Sequence, residues 1–221
     1  MLNKIRISLC GTSPEKDMDR LLHLVDAWVF KGSPAVYEKL GPEIQELARA
    51  LIPTAVKGVP HQLYRALAMK TDKVIKALRT GKINLVHRAY TSWSAEAPST
   101  GRYVQGTDYG IVVTAHVPKS AVVLDLYELV HTLSKLNNAH KISGKSRLML
   151  QSMRNDLDEE HELIVFNAPS QCEVHGIIIV APNEVHLTLI EEQDIEYKNS
   201  DDAETIFIER SDILSHLDEL H

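Results

Sequence analysis

Cysteine, long apolar runs and glycine-rich phosphate motifs are all scarce or missing in this chain. Its 221 residues include only Cys10 and Cys172, with no Cys-x-x-Cys pair. That excludes a disulfide framework and a zinc ribbon and fits a reducing, cytoplasmic setting. No stretch reaches the roughly 18 consecutive apolar residues that a membrane span needs. Met1 to Gly11 has no apolar run of signal-peptide length. No Gly-x-Gly-x-x-Gly follows a strand and no P-loop occurs, so a Rossmann dinucleotide site and a Walker-type site are unsupported. The 11 histidines are scattered and lack a His-Glu-x-x-His spacing, so a catalytic metal is not expected.

What is present is an ordinary soluble composition, 44% hydrophobic and 24% charged, which excludes wholesale disorder. The length suits one domain. The net charge of −6 speaks against a protein that coats nucleic acid. The charge is uneven: residues 184–221 hold 12 acids and two bases, and residues 1–183 hold 18 acids and 22 bases. A mildly basic body thus carries an acidic C-terminal segment, expected to be solvated.

Periodicity predicts helices over Lys16–Phe30 and Pro34–Leu51, the second with Ser33 as N-cap and Pro34 at the first helical position. A short strand is expected at His61–Leu67, and Thr71 is expected to cap a helix over Asp72–Arg79. Then the texture changes. Ile83–Ser94, Gly110–His116, Ala121–Asp125, Glu162–Phe166, Cys172–Ala181 and Glu184–Ile190 are rich in β-branched residues and bounded by turn formers. A helix at Leu126–Leu136 interrupts them. Helices first and many short strands after predict an α+β fold.

Three features occur in order: Leu63-Tyr64-Arg65-Ala66 on a strand, Ser92-Trp93-Ser94 at a strand end, and Glu160-His161-Glu162 leading into Leu163-Ile164-Val165. Strand alternation puts Ser92 and Ser94 on one face and would put Glu160 and Glu162 side by side. Trp93 then faces away from Ser92, toward a core. Arg65 offers a planar cationic fork suited to phosphate. Anion clamp, hydroxyl platform and carboxylate pair together suit a phosphorylated sugar whose anomeric carbon turns cationic during reaction.

In that order and spacing, the residues resemble the mono-ADP-ribosyltransferases of the arginine–serine–glutamate class, found among bacterial toxins and tailed-phage enzymes that modify host proteins. The resemblance runs from about Val59 to Ala181. It implies a fold of two small packed, mostly antiparallel sheets behind an N-terminal helical part (1–58), with an NAD-binding catalytic core (59–190) and the acidic segment (191–221). NAD is the implied substrate. Arg65 would bind the NAD phosphates or hold the cleft together, and Ser92 would orient Glu162, with Ser94 beside it. Glu162 would accept the ribose 2′-OH and stabilise the oxocarbenium ion. Glu160 holds the target-selecting position, and a Glu there implies an arginine of a protein as acceptor.

Ala66 stands where the family has Gly, its backbone facing nicotinamide, and Trp93 where it has Thr. Tyr64 and Tyr90 are expected to stack on nicotinamide or on the ribose, or to be core. The loop 95–109 would cover the dinucleotide, with Arg102 as a second phosphate contact. Asn155–Asp158 would form the loop that meets the target. Open beside this reading are an NAD glycohydrolase, a transferase acting on nucleic acid, and an inactive binding module of the same fold.

Overall fold

The computed structural model describes residues 14–52, 62–104, 109–136, 142–157, 161–180, 182, 190, 195–199 and 205–219. It is an α+β protein: two N-terminal helices, α1 (Pro14–Phe30) and α2 (Pro34–Leu51), precede a nine-stranded antiparallel sheet. Ser33 caps α2 as expected, its Oγ accepting from the Val36 N–H at 3.3 Å, with Pro34 opening the helix. Pro14 rather than Lys16 opens α1.

The strands are β1 (Gln62–Ala68), β2 (Lys82–Asn84), β3 (Tyr90–Ser94), β4 (Tyr109–His116), β5 (Val122–Asp125), β6 (Glu162–Phe166), β7 (Gln171–Val180), β8 (Lys198–Asn199) and β9 (Thr205–Glu209). Their spatial order is β5-β6-β3-β1-β4-β7-β9-β8, with β2 also on β7. Helices α3 (Thr71–Thr80), α4 (Leu126–Leu136), α5 (Gly144–Leu157) and α6 (Arg210–Glu219) fill the connections and the C-terminal end.

Two separate small sheets were expected; hydrogen bonding instead joins all nine strands. The join is narrow. β1 and β3 share one register pair, Tyr64 opposite Ser94, whereas β1 and β4 share seven. Leu63, Val113 and Val174 of one half share a buried cluster with Trp93, Leu163 and Val165 of the other. The two halves therefore pack on each other through those faces. The opposite face of β5-β6-β3 carries Tyr90 and Ile164, which cluster with Leu21, Val25 and Trp28 of α1 and Ile44 of α2, and with α4 and α5. Gly41 lets α2 lie on β3, since a Cβ there would fall 2.2 Å from the Tyr90 ring.

Several expectations need correction. The Ile83–Ser94 strand is two strands, because the chain leaves the ladder between them. There the Leu85 N–H donates to Ser170 O at 2.6 Å and the Ala89 N–H to Glu38 Oε1 at 2.9 Å. Lys70, not Thr71, is the N-cap of α3. Helix α5 was not foreseen and takes in Asn155–Leu157 of the supposed substrate loop; Asp158 lies outside the described residues. Its start is marked by Ser143, whose Oγ accepts from the Ser146 N–H at 3.2 Å. Glu184–Leu189 of the last expected strand also falls outside the described residues. Within the acidic segment, Thr205–Ile208 of β9 are buried and pair with β7.

Gly176 is the tightest glycine of the sheet, with a hypothetical Cβ 2.2 Å from Ile208 O and 2.6 Å from the Phe207 ring. Since backbone is the obstacle, Gly176→Ala is expected to destabilise by about 1–3 kcal/mol, read as a lower denaturant midpoint at unchanged slope; an unchanged midpoint would refute this packing.

Candidate active site

The site begins with register. Across β3 and β6, Ser94 pairs with Glu162 and Ser92 with Ile164. Ser94 also pairs with Tyr64 of β1, so Tyr64, Ser94 and Glu162 form one row across three strands. Directly opposed residues of an antiparallel pair share a face, and Ser92 follows Ser94 on that face at i, i−2. The structure thus brings Ser92, Ser94 and Glu162 together as the sequence predicts.

Glu162 is 2% exposed, Ser92 6% and Ser94 0%. The Ser92 hydroxyl donates to Glu162 Oε1. A second donor comes from outside the motifs: the indole Nε1–H of Trp28, on α1, reaches the same oxygen at 3.0 Å. Burying a carboxylate is costly unless donors replace its water. Here a strand hydroxyl and a helix indole supply two of them. Ser94 Oγ accepts from the Glu96 N–H at 3.1 Å, tying down the chain as it leaves β3.

Sequence reasoning missed Trp28. It stands three residues after Val25 and seven after Leu21, on the buried stripe of α1. A tryptophan in such a stripe reads as core, and nothing local points to a partner 134 residues away.

Glu160 lies outside the described residues. The strand starts at Glu162. His161 has φ of 44°, in the left-handed region, so the backbone turns there. The His161 carbonyl accepts from the Ala95 N–H at 3.1 Å, and its ring stacks on Tyr127 of α4 with centroids 5.1 Å apart.

Arg65 is not brought to the Glu162 carboxylate. It follows Tyr64 on β1 and lines a small cavity with Thr91, Trp93 and the segments 85–88 and 168–170. That is the side of the sheet on which Trp93 is fully buried, as alternation predicted for Trp93. Arg65 also lies near Cys172: its charge opposes, but does not overcome, the burial that raises the thiol's pKa. A buried thiol held protonated is a poor nucleophile; Cys10 is outside the described residues.

Ala66 is buried among Ala97, Val104, Val112, Ile178 and Phe207. Its methyl group is a core contact. Tyr90 is core too, its hydroxyl donating to Gln45 Oε1 at 2.8 Å, with burial raising its pKa. Arg102 falls in a short 3-10 helix, Pro98–Val104; its side chain lies outside the described residues. Among the described residues no group of three or more His, Cys, Asp or Glu side chains is arranged to hold a metal ion. No described helix is long and apolar enough to cross a membrane.

On the far side of Tyr64 an aromatic row continues. Tyr64 packs on His175 with centroids 4.9 Å apart, and His175 stacks on Phe207 at 5.5 Å. His175 is the extra residue of a bulge: β4 pairs Val113 with Val174 and Val112 with Gly176. Bulges re-aim side chains, and this one turns an imidazole into the row. Burial lowers the His175 pKa from 6.5; Glu209 opposes this and Lys198 adds to it. The folded state therefore binds fewer protons than the unfolded one. Stability from this group is complete above the ordinary histidine value and lost as pH falls from there toward the lower folded value. His175→Phe keeps the row and removes the titration. Its melting temperature relative to wild type is expected to rise as pH is lowered from 7 to 5; a constant difference would contradict the buried neutral imidazole.

No protein-family model, curated protein or solved structure matches the chain.

Proposed function

We propose that this protein is an NAD-dependent mono-ADP-ribosyltransferase of the arginine–serine–glutamate class. It cleaves the bond between nicotinamide and ribose and passes ADP-ribose to an arginine of a target protein. The observation that carries the reading is the buried Glu162 carboxylate held by Ser92, whose strand lies between that of Glu162 and that of Tyr64-Arg65. The three motifs lie far apart in the chain and adjacent in the sheet.

In the reaction, the glycosidic C–N bond breaks and its electron pair goes to the nicotinamide nitrogen, which becomes neutral. The ribose C1′ gains positive charge. An anionic Glu162, fixed in a poorly solvated site, stabilises that charge more than it stabilises the ground state. It also accepts a hydrogen bond from the 2′-OH. A guanidinium nitrogen of the acceptor then bonds to C1′ and its proton passes to a base, the role that the family resemblance assigns to Glu160. The place of Arg65 on the Trp93 side of the sheet supports the second of its two expected roles, holding the cleft together. An inactive binding module is the rival reading, favoured by the direction of Arg65 and the near-complete burial of Glu162.

The test is nicotinamide release from NAD, with and without a cell lysate as the source of acceptor. Glu162→Gln is expected to lower release by about a thousandfold or more, the scale of losing a transition-state electrostatic partner. Ser92→Ala is expected to lower it by about 10- to 100-fold, the scale of one hydrogen bond to a charged group. ADP-ribose on protein, released by hydroxylamine under conditions that cleave arginine adducts, supports transfer to arginine. Free ADP-ribose alone identifies a glycohydrolase. Absence of nicotinamide release from the wild type in every condition leaves the binding module.

A further inference from the structure

We propose that Trp28 is a positioning residue of this site: with Ser92 it clamps Glu162 Oε1, making the N-terminal helical layer part of the reaction centre rather than a covering for it. The inference rests on Glu162 being the ribose-facing carboxylate.

Both donors converge on one oxygen. A carboxylate oxygen has lone pairs for two such bonds. Filling both fixes rotation about the last side-chain bond, and the direction of Oε2 follows. A lone serine would leave that torsion broad, because terminal sp³–sp² torsions of Glu have no sharp staggered wells. Trp28 is itself immobilised. It is fully buried and stacks on Tyr37 of α2, with ring centroids 4.0 Å apart and 19° between planes. The turn between the helices permits this stack, since a side chain at Gly32 would come within 2.4 Å of Tyr37 Oη. The relay Gly32–Tyr37–Trp28 thus ends on the carboxylate.

The type of donor matters. Indole and hydroxyl are both neutral. They favour the ionised carboxylate by hydrogen bonding without placing a cation beside the position where the ribose becomes cationic. A fully buried indole N–H also needs an acceptor, so the bond satisfies both partners.

The experiment is Trp28→Phe, which keeps an aromatic ring on Tyr37 and deletes the donor. In the nicotinamide-release assay kcat is expected to fall about 10- to 100-fold with KM for NAD unchanged, and the acid limb of the kcat profile to move up by about one pH unit. Wild-type kcat and an unmoved limb would overturn the inference. A second readout needs no turnover: the Glu162 carboxyl is titrated by carbon-13 NMR in wild type and Trp28→Phe. An upward shift in the variant supports the clamp even where the wild type releases no nicotinamide, an outcome that would sink only the enzymatic reading. No shift overturns the clamp whatever the activity. Should Trp28→Phe fail to fold, the indole N–H resonance of the wild-type protein is followed instead. It must move as Glu162 titrates, and a resonance indifferent to that titration overturns the proposal.

Discussion

Everything in the site depends on one backbone pairing, Ser94 against both Tyr64 and Glu162. Ser94 is the residue through which the two halves of the sheet are joined. A single pair leaves the halves free to fold on each other, and the shared cluster around Leu63, Trp93 and Leu163 holds them so. Because side chains alternate strictly along a strand, filling that cluster commits the intervening residues to the other face. Ser92 and Glu162 are on that other face because Trp93 and Leu163 are in the core. A one-residue slip of β3 against β6 would carry the serines into that cluster and the tryptophan to the Glu162 face.

The cost of this arrangement is a carboxylate without bulk water. An ionised carboxylate in a poorly polarisable interior is tolerated only when hydrogen bonds replace its hydration. Ser92 from the sheet and Trp28 from the helical layer both contribute. That couples the two layers of the fold through the group proposed to do the chemistry. The helical front, separable from the catalytic core when read as sequence, is joined to it in space.

The charge pattern also changes meaning. The acidic surplus after Glu184 reads as a solvated appendage, yet the same segment supplies β9, with Ile206, Phe207 and Ile208 buried. Phe207 closes the aromatic row that begins at Tyr64, and Lys198 meets Glu209 at 3.1 Å. Net charge counts residues and is blind to a short apolar run between acids, and such a run is all that a short buried strand requires.

By itself the sequence determined the local features: the cap and proline that start α2, the helix at Leu126–Leu136, strand β6, the burial of Trp93, and the common face of Ser92 and Ser94. These depend on periodicity and on chemistry within a few residues, and those are local properties. Tertiary structure alone decided the rest. It set a left-handed turn at His161, just before β6, where the carbonyl accepts from the Ala95 N–H and the ring stacks on Tyr127. It set Arg65 on the Trp93 side of the sheet and carried Trp28 to Glu162. Contacts between residues more than 100 positions apart leave no periodic trace in the chain. They form only when burial of the core selects one register and one face for each strand, and the polar groups left over must then find each other.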